Sequence, residues 1–338
     1  MTALLSALSE RGIDVGYAAA WRTVRTLPEP AAKAVFARAA DLAYRRDGRS
    51  VKQLRRNLVR VLPADHHAAE LEAVVRAGMR SYARYWLETF RLPAMDVAHT
   101  VAQALTEGTE HLDAAVAAGK GAIIALPHSG NWDVAGLWLV NRGYPFVTVA
   151  ERLKPESLFD KFVEFRQSLG MQVLALTGGP EAPMTVLKRH LLDGGVVCLV
   201  ADRDLSRSGI DVDYFGEATR MPAGPSLLAA TTGAALLPVH LHFRPTGWAQ
   251  WIGPPVDLGA GNLRSKLAVG TQSLADSFAA RIALHPEDWH MLQPLWLSDL
   301  DPRRLKPSDT TGHDATGHYA TDHDATGHDA TDHESAGG

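Results

Sequence analysis

Residues 121–133 read Gly-Ala-Ile-Ile-Ala-Leu-Pro-His-Ser-Gly-Asn-Trp-Asp. Residues 121–128 form a short apolar run of strand length, with a polar cluster from Pro127 at its end. Residues 131–141 then take up helical spacing. The same order repeats downstream. Runs at 145–151, 171–177 and 196–204 read as extended, and segments 155–169 and 180–192 between them read as helical. Strand-length runs alternating with amphipathic helices predict an α/β fold, with a mixed, largely parallel central sheet flanked by helices. Residues 210–215, 234–243 and 248–255 are candidates for later strands, and 222–232 and 265–284 for helices. Upstream, residues 1–91 read as a helical subdomain with helices at 31–46, 50–61 and 68–89, followed by a linking helix near 97–118. An earlier helix carries Tyr17, Trp21 and Val24 at i, i+4 and i+7, and Pro28 and Pro30 end it.

Composition narrows the class. The chain has 338 residues, 46% of them hydrophobic and 21% charged, enough for a sizeable core. Its one cysteine, Cys198, permits no internal disulfide, which fits a reducing compartment. The longest apolar runs fall far short of the ~20 residues that span a bilayer. The N-terminus lacks the order of a secretory signal. The net charge of −4 argues against nucleic acid as a partner.

That net charge conceals an asymmetry. Residues 1–91 hold 16 Lys and Arg against 9 Asp and Glu, a balance of +7. Residues 307–338 hold 7 acids and no Lys or Arg. A basic segment bearing aromatic residues suits an anionic membrane surface, and it equally suits solvated helices. In the tail His313, His318, His323, His328 and His333 recur every five residues among Asp, Ala, Thr and Gly. That composition cannot bury enough surface to order itself, so disorder is expected, with no metal held in fixed geometry.

In open α/β sheets ligands bind outside the carboxyl ends of the strands. Polar clusters sit at three such ends: 127–133, Glu151 with Arg152, and 202–204. His128 is a candidate general base, and Asp133 stands five residues on, in the first turn of the next helix. The helix start also exposes backbone N–H groups at Gly130 and Asn131 that suit an oxyanion. A structural histidine followed by a capping Asn or Asp reads the same residues without chemistry. Trp132, Trp138 and Phe146 suit an apolar groove or plain core. Cys198, inside an apolar strand, should be inert. No G-x-S-x-G, phosphate-binding loop or H-E-x-x-H spacing is present.

His128 and Asp133 form His-x4-Asp, and here the sequence resembles acyltransferases that move a fatty acyl group from a thioester carrier to a lipid hydroxyl. Ala201-Asp202-Arg203-Asp204, Asp213-Tyr214-Phe215-Gly216 and Met221-Pro222-Ala223-Gly224-Pro225 look like the lipid A-type branch of that family. Gly16-Tyr17-Ala18-Ala19-Ala20-Trp21-Arg22 and His285-Pro286-Glu287-Asp288-Trp289-His290 look more like its actinobacterial phosphatidylinositol mannoside acyltransferases. The resemblance runs from about Ile13 to Pro302 and leaves out the tail. Lipid A-type members usually carry an N-terminal membrane anchor, and its absence points to the mannoside branch.

The resemblance implies a peripheral enzyme at the cytoplasmic face of the cell membrane. It would pass a palmitoyl-like chain from acyl-CoA to a mannose hydroxyl of phosphatidylinositol mannoside, with no cofactor or metal. Residues 1–91 would associate with the membrane, 92–306 would form the catalytic core, and 307–338 the tail. His128 would be the base, with Asp202 its preferred direct partner and Asp133 shaping the loop. The oxyanion would lie near the backbone of Ser129, Gly130 and Asn131. Glu151 and Arg166 match positions lining the acceptor's polar groups, though Arg166 also reads as a surface residue of its helix. Arg220 suits a phosphate or a loop ion pair. A lipid A-type lauroyl or myristoyl transferase and a non-catalytic lipid-binding protein are the alternatives.

Overall fold

The computed structural model describes residues 22–151, 156–204 and 209–300. Tyr17, Trp21, Arg152 and the histidine repeat lie outside the described residues. The first described helices are α1 (Glu29–Arg46), α2 (Arg49–Val61) and α3 (Ala68–Arg91). Pro28 and Pro30 mark the start of α1, because proline fits the first helical turn, where no N–H is needed. Ala40, Leu54, Leu58, Val75 and Met79 pack these three helices into a small core of their own.

The central sheet has seven strands in the order β1-β9-β8-β2-β5-β3-β4. These are β1 (Ala104–Glu107), β2 (Ala122–Leu126), β3 (Phe146–Ala150), β4 (Gln172–Ala175), β5 (Val196–Val200), β8 (Ala235–Phe243) and β9 (Trp248–Ile252). From β8 to β4 all neighbours run parallel, whereas β9 is antiparallel to β8 and parallel to β1. The sheet is therefore mixed and largely parallel, as the alternating pattern predicts.

Every residue of β2 is buried, because helices cover both faces of its sheet. Ile123 and Ala125 face one core with residues of α8 (Pro183–Leu192), α9 (Gly224–Thr232) and α10 (Leu263–Ile282). Ala122, Ile124 and Leu126 face a second core with α5 (Thr109–Ala117), α6 (Trp132–Asn141) and Phe165 of α7 (Glu156–Ser168). The two-residue side-chain period of a strand distributes one short run between two cores. Gly121 enters β2 at φ +79°, where a Cβ would lie 2.7 Å from the Leu191 carbonyl oxygen.

Two elements depart from the sequence reading. The linking helix expected near 97–118 is instead α4 (Val97–Ala102), strand β1 and α5. At Gly108 (φ +77°) the chain runs so close to the Ile252 carbonyl that a Cβ would overlap it. Thr106 Oγ1 also accepts a hydrogen bond from Gln250 Nε2 at 2.6 Å. Pairing with β9 thus overrides a weakly amphipathic pattern. Residues 210–215 also do not extend the main sheet. Strands β6 (Ile210–Tyr214) and β7 (Glu217–Met221) form a separate antiparallel hairpin, turned at Phe215 and Gly216, both with positive φ.

Ile123 is fully buried at the centre of β2. Replacing it with alanine should cost about 2–5 kcal/mol through lost burial and the cavity left behind, read by urea unfolding.

Candidate active site

Strands β2 and β5 pair in parallel with Leu126 opposite Val200. The ladder continues one step, since Ala201 N–H donates to the Leu126 carbonyl at 2.8 Å. Two residues past each strand's end the same register sets His128 beside Asp202. His128 Nδ1 lies 2.5 Å from Asp202 Oδ1, and the His128 backbone N–H donates to Oδ2 at 3.0 Å. Trp289 Nε1 donates to Oδ2 as well, at 2.9 Å. Burial by itself pushes the Asp202 carboxyl up, but His128, Trp289 and the backbone donor together hold it below the usual carboxylate range. Ionised Asp202 only accepts, so the proton of a neutral imidazole sits on Nδ1 and leaves the Nε2 lone pair free for chemistry.

Asp133 has a different partner. It is buried and receives Arg166 Nε at 2.7 Å and Nη2 at 3.3 Å. The Thr89 hydroxyl donates to the same carboxylate at 3.3 Å. Arg166 is thereby drawn inward from what reads as the outer face of α7; burial opposes its charge, and Asp133 more than offsets this. Asp133 and Arg166 form one internal pair beside the histidine loop.

The loop itself narrows the oxyanion expectation, because two of its three amides are already taken. Ser129 N–H donates to the Pro127 carbonyl at 2.8 Å and Gly130 N–H to the Asp288 carbonyl at 3.0 Å. Neither amide is free to meet a developing oxyanion. Ser129 Oγ accepts from Leu241 N–H at 3.4 Å. Asn131 Oδ1 accepts from Asp133 and Val134 N–H, both at 3.1 Å, and so caps α6, while its Nδ2 donates to Glu88 Oε2 at 2.8 Å. Gly130 takes φ +55°, and a Cβ there would lie 2.8 Å from Leu241. These three residues shape the loop.

His128 and Asp133 line a cavity of about 1190 Å³, together with Glu151, Arg166, Arg203 and Asp204. The three strand ends singled out in the sequence therefore meet at one opening. The cavity exceeds the roughly 300–1,000 Å³ of most ligand pockets. Its apolar part is walled by Ile124, Trp132, Trp138, Phe146 and Met171. Cys198 also lines it, and burial pushes its thiol well up. Glu151 lies 3.7 Å from Arg203. Arg220 is not brought here: it sits on the β6–β7 hairpin and pairs with Asp211 at 2.8 Å. Among the described residues no group of three or more His, Cys, Asp or Glu could hold a metal ion.

The arrangement sets an oriented histidine beside a largely apolar cavity. The family model described as bacterial lipid A biosynthesis acyltransferase matches residues 5–298. The chain belongs to that family. It is an acyltransferase. The chain is 54% identical over 294 residues to a protein of Mycolicibacterium smegmatis named phosphatidylinositol mannoside acyltransferase, covering 86% of this chain and 93% of the relative. Proteins of the same name from two strains of Mycobacterium tuberculosis are 50% identical over 301 residues, covering 88% of this chain and 93% of each relative.

Several residues of this acyltransferase site escaped the sequence reading. Tyr82, Tyr85 and Trp86 of α3 and His290 line the cavity, and Glu88 of α3 joins Asn131, Arg84 and Trp248. The signal was present in the aromatic spacing of α3, where Tyr82, Tyr85, Trp86 and Phe90 fall at i, i+3, i+4 and i+8.

Replacing Arg166 with methionine strands the Asp133 charge in the interior. It should cost about 3–5 kcal/mol in urea unfolding, and adding Asp133→Asn should recover most of that loss.

Proposed function

We propose that this acyltransferase moves a long fatty acyl chain from acyl-CoA to a mannose hydroxyl of a phosphatidylinositol mannoside, with His128 as general base. One observation carries the mechanism: Asp202 occupies Nδ1 of His128, and His128 lines a largely apolar cavity. Nε2 takes the proton of the acceptor hydroxyl as its oxygen attacks the thioester carbonyl. The tetrahedral adduct then collapses, the carbon–sulfur bond breaks, and the proton passes from His128 to the departing CoA thiolate. Acyl transfer is complete without a covalent enzyme intermediate. The charged wall of Glu151, Arg166 and Arg203 suits the sugar of the acceptor, and Trp132, Trp138 and Phe146 suit the chain. The substrate class is supported by relatives at 50% and 54% identity that carry that name.

The enzyme would work on the cytoplasmic face of the cell membrane as a peripheral protein. Among the described residues no helix is long and apolar enough to cross a membrane. Helix α1 exposes Val35 and Leu42 on one face with Arg38, Arg45 and Arg46. Such a face buries its apolar residues at the lipid boundary while the guanidiniums meet anionic head groups. Binding to phosphatidylinositol-containing vesicles should weaken between 50 and 500 mM salt, and neutral vesicles should bind poorly; equal binding to both sinks the electrostatic docking.

The deciding assay offers labelled palmitoyl-CoA with phosphatidylinositol mannosides, lysophospholipid, glycerol 3-phosphate or a lipid A precursor. Wild type should acylate the mannoside, and His128→Ala and Asp202→Asn should each be slower by about 10²–10⁴-fold. Transfer to another lipid alone overturns the acceptor, and undiminished transfer by His128→Ala overturns the base.

A further inference from the structure

The Asp288-Trp289-His290 segment clamps the base loop from behind. Gly130 N–H donates to the Asp288 carbonyl, Ser129 and Trp289 form an isolated β-bridge, and His290 N–H donates to the His128 carbonyl at 2.7 Å. His290 is thus tied to the backbone of the residue that serves as base. Its ring is buried, yet it lines the same cavity, flanked by Tyr82, Tyr85 and Trp132 at centroid distances of 5.5, 5.8 and 6.4 Å.

The hydrogen bonds determine which ring nitrogen carries the proton. Ser81 Oγ donates to Asp288 Oδ1 at 2.6 Å, and Asp288 Oδ2 accepts Phe243 N–H at 2.7 Å. A hydroxyl has one hydrogen, and Ser81 gives it to the carboxylate. The 2.9 Å contact between Ser81 Oγ and His290 Nε2 therefore needs the proton on Nε2. Nδ1 then bears a lone pair. That atom is buried and has no hydrogen-bond partner among the described residues. Burial lowers the pKa of His290 to about 3, so near neutral pH it is a standing acceptor and no acid or base. Burial pushes the Asp288 carboxyl up to about 6, while the Ser81 hydroxyl and the Phe243 N–H both donate to it, favour its ionised form and keep the relay in this sense. A buried, unpartnered acceptor costs stability, and it persists most readily where a ligand completes it.

We propose that His290 Nδ1 accepts a hydrogen bond from a second hydroxyl of the acceptor sugar, next to the one that His128 deprotonates. The inference rests on the polyol acceptor proposed above. It makes His290 a binding residue that seats the sugar, with Ser81 and Asp288 as positioning residues that act through its tautomer. An acyl chain has no donor to offer. The amide N–H groups of the pantetheine arm are the competing source, and the test separates the two.

Two substitutions divide the ring's functions. In His290→Asn the side-chain oxygen sits where Nδ1 was, so the acceptor is kept and the Ser81 link is lost. In His290→Gln the amide reaches Ser81 and the Nδ1 acceptor is lost. Transfer to phosphatidylinositol mannoside and hydrolysis of palmitoyl-CoA are measured together, with thermal unfolding as the control for folding. His290→Gln should lower the ratio of transfer to hydrolysis by about tenfold, mainly through KM for the mannoside, and His290→Asn should restore much of it. Among monodeoxy-mannose analogues, one should be about tenfold poorer than the parent with wild type and no poorer with His290→Gln. Equal losses of transfer and hydrolysis in both variants overturn the proposal in favour of a pantetheine contact or a purely structural ring. Full discrimination among the analogues by His290→Gln overturns it too. Should wild type acylate a different lipid, the mannoside reading falls, and the Asn-against-Gln comparison on that lipid still decides His290.

Discussion

A carboxylate sealed from water and kept ionised is the constraint on which the rest of this structure depends. Asp202 has no exposed surface, and an isolated charge there would instead neutralise. Three donors prevent that: the His128 ring, the His128 backbone and the Trp289 indole. Each comes from a different level of structure. The ring stands at a strand end, the backbone donor requires the β2–β5 register, and the indole arrives from the far end of the chain. Losing any of the three weakens both the charge and the orientation of the base.

The same logic explains why the N-terminal helices cannot be peeled from the sheet without consequence for the site. Glu88 on α3 accepts from Asn131, Arg84 and Trp248, so one buried carboxylate joins the helical region, the histidine loop and β9. Asp133 and Arg166 make a second such junction between α6 and α7. Buried charge that is paired and hydrogen-bonded adds less to net stability than apolar packing of equal volume. Its contribution is directional: each group tolerates one arrangement of its neighbours, and that arrangement points His128 at the cavity. The Ser129 and Gly130 amides are spent on this scaffolding, which is why those two cannot serve an oxyanion.

Much of the fold was legible because its signals are local. The run at 122–126 alternates between two cores, and Asn131 caps α6 as its residue type suggests. The strand ends carrying His128, Glu151 and Asp202 follow from a parallel sheet and one rule about its carboxyl edge. What failed to show was non-local. Strand β1 has only four residues and exists because β9 lies beside it, so its spacing alone reads as helix. Arg220 stands near Met221 and Pro222 in sequence, yet the hairpin turns it toward Asp211 and away from the cavity. From its helix alone Arg166 reads as a surface residue, and only the family resemblance puts it in the site, because its burial depends on where Asp133 sits.

The chain's own pattern determined that strands alternate with helices, that a histidine closes the central strand, and that an acid stands at the end of a companion run. Periodicity and capping act over a few residues, so they can be read in order. Only the tertiary structure decided which acid meets His128, which amides are already taken, and that Trp289 and His290 return to the site. Those outcomes depend on strand register and on contacts between residues more than 70 positions apart, such as 128 with 202, and 202 with 289. No local spacing encodes a partner that packing alone brings within hydrogen-bond reach.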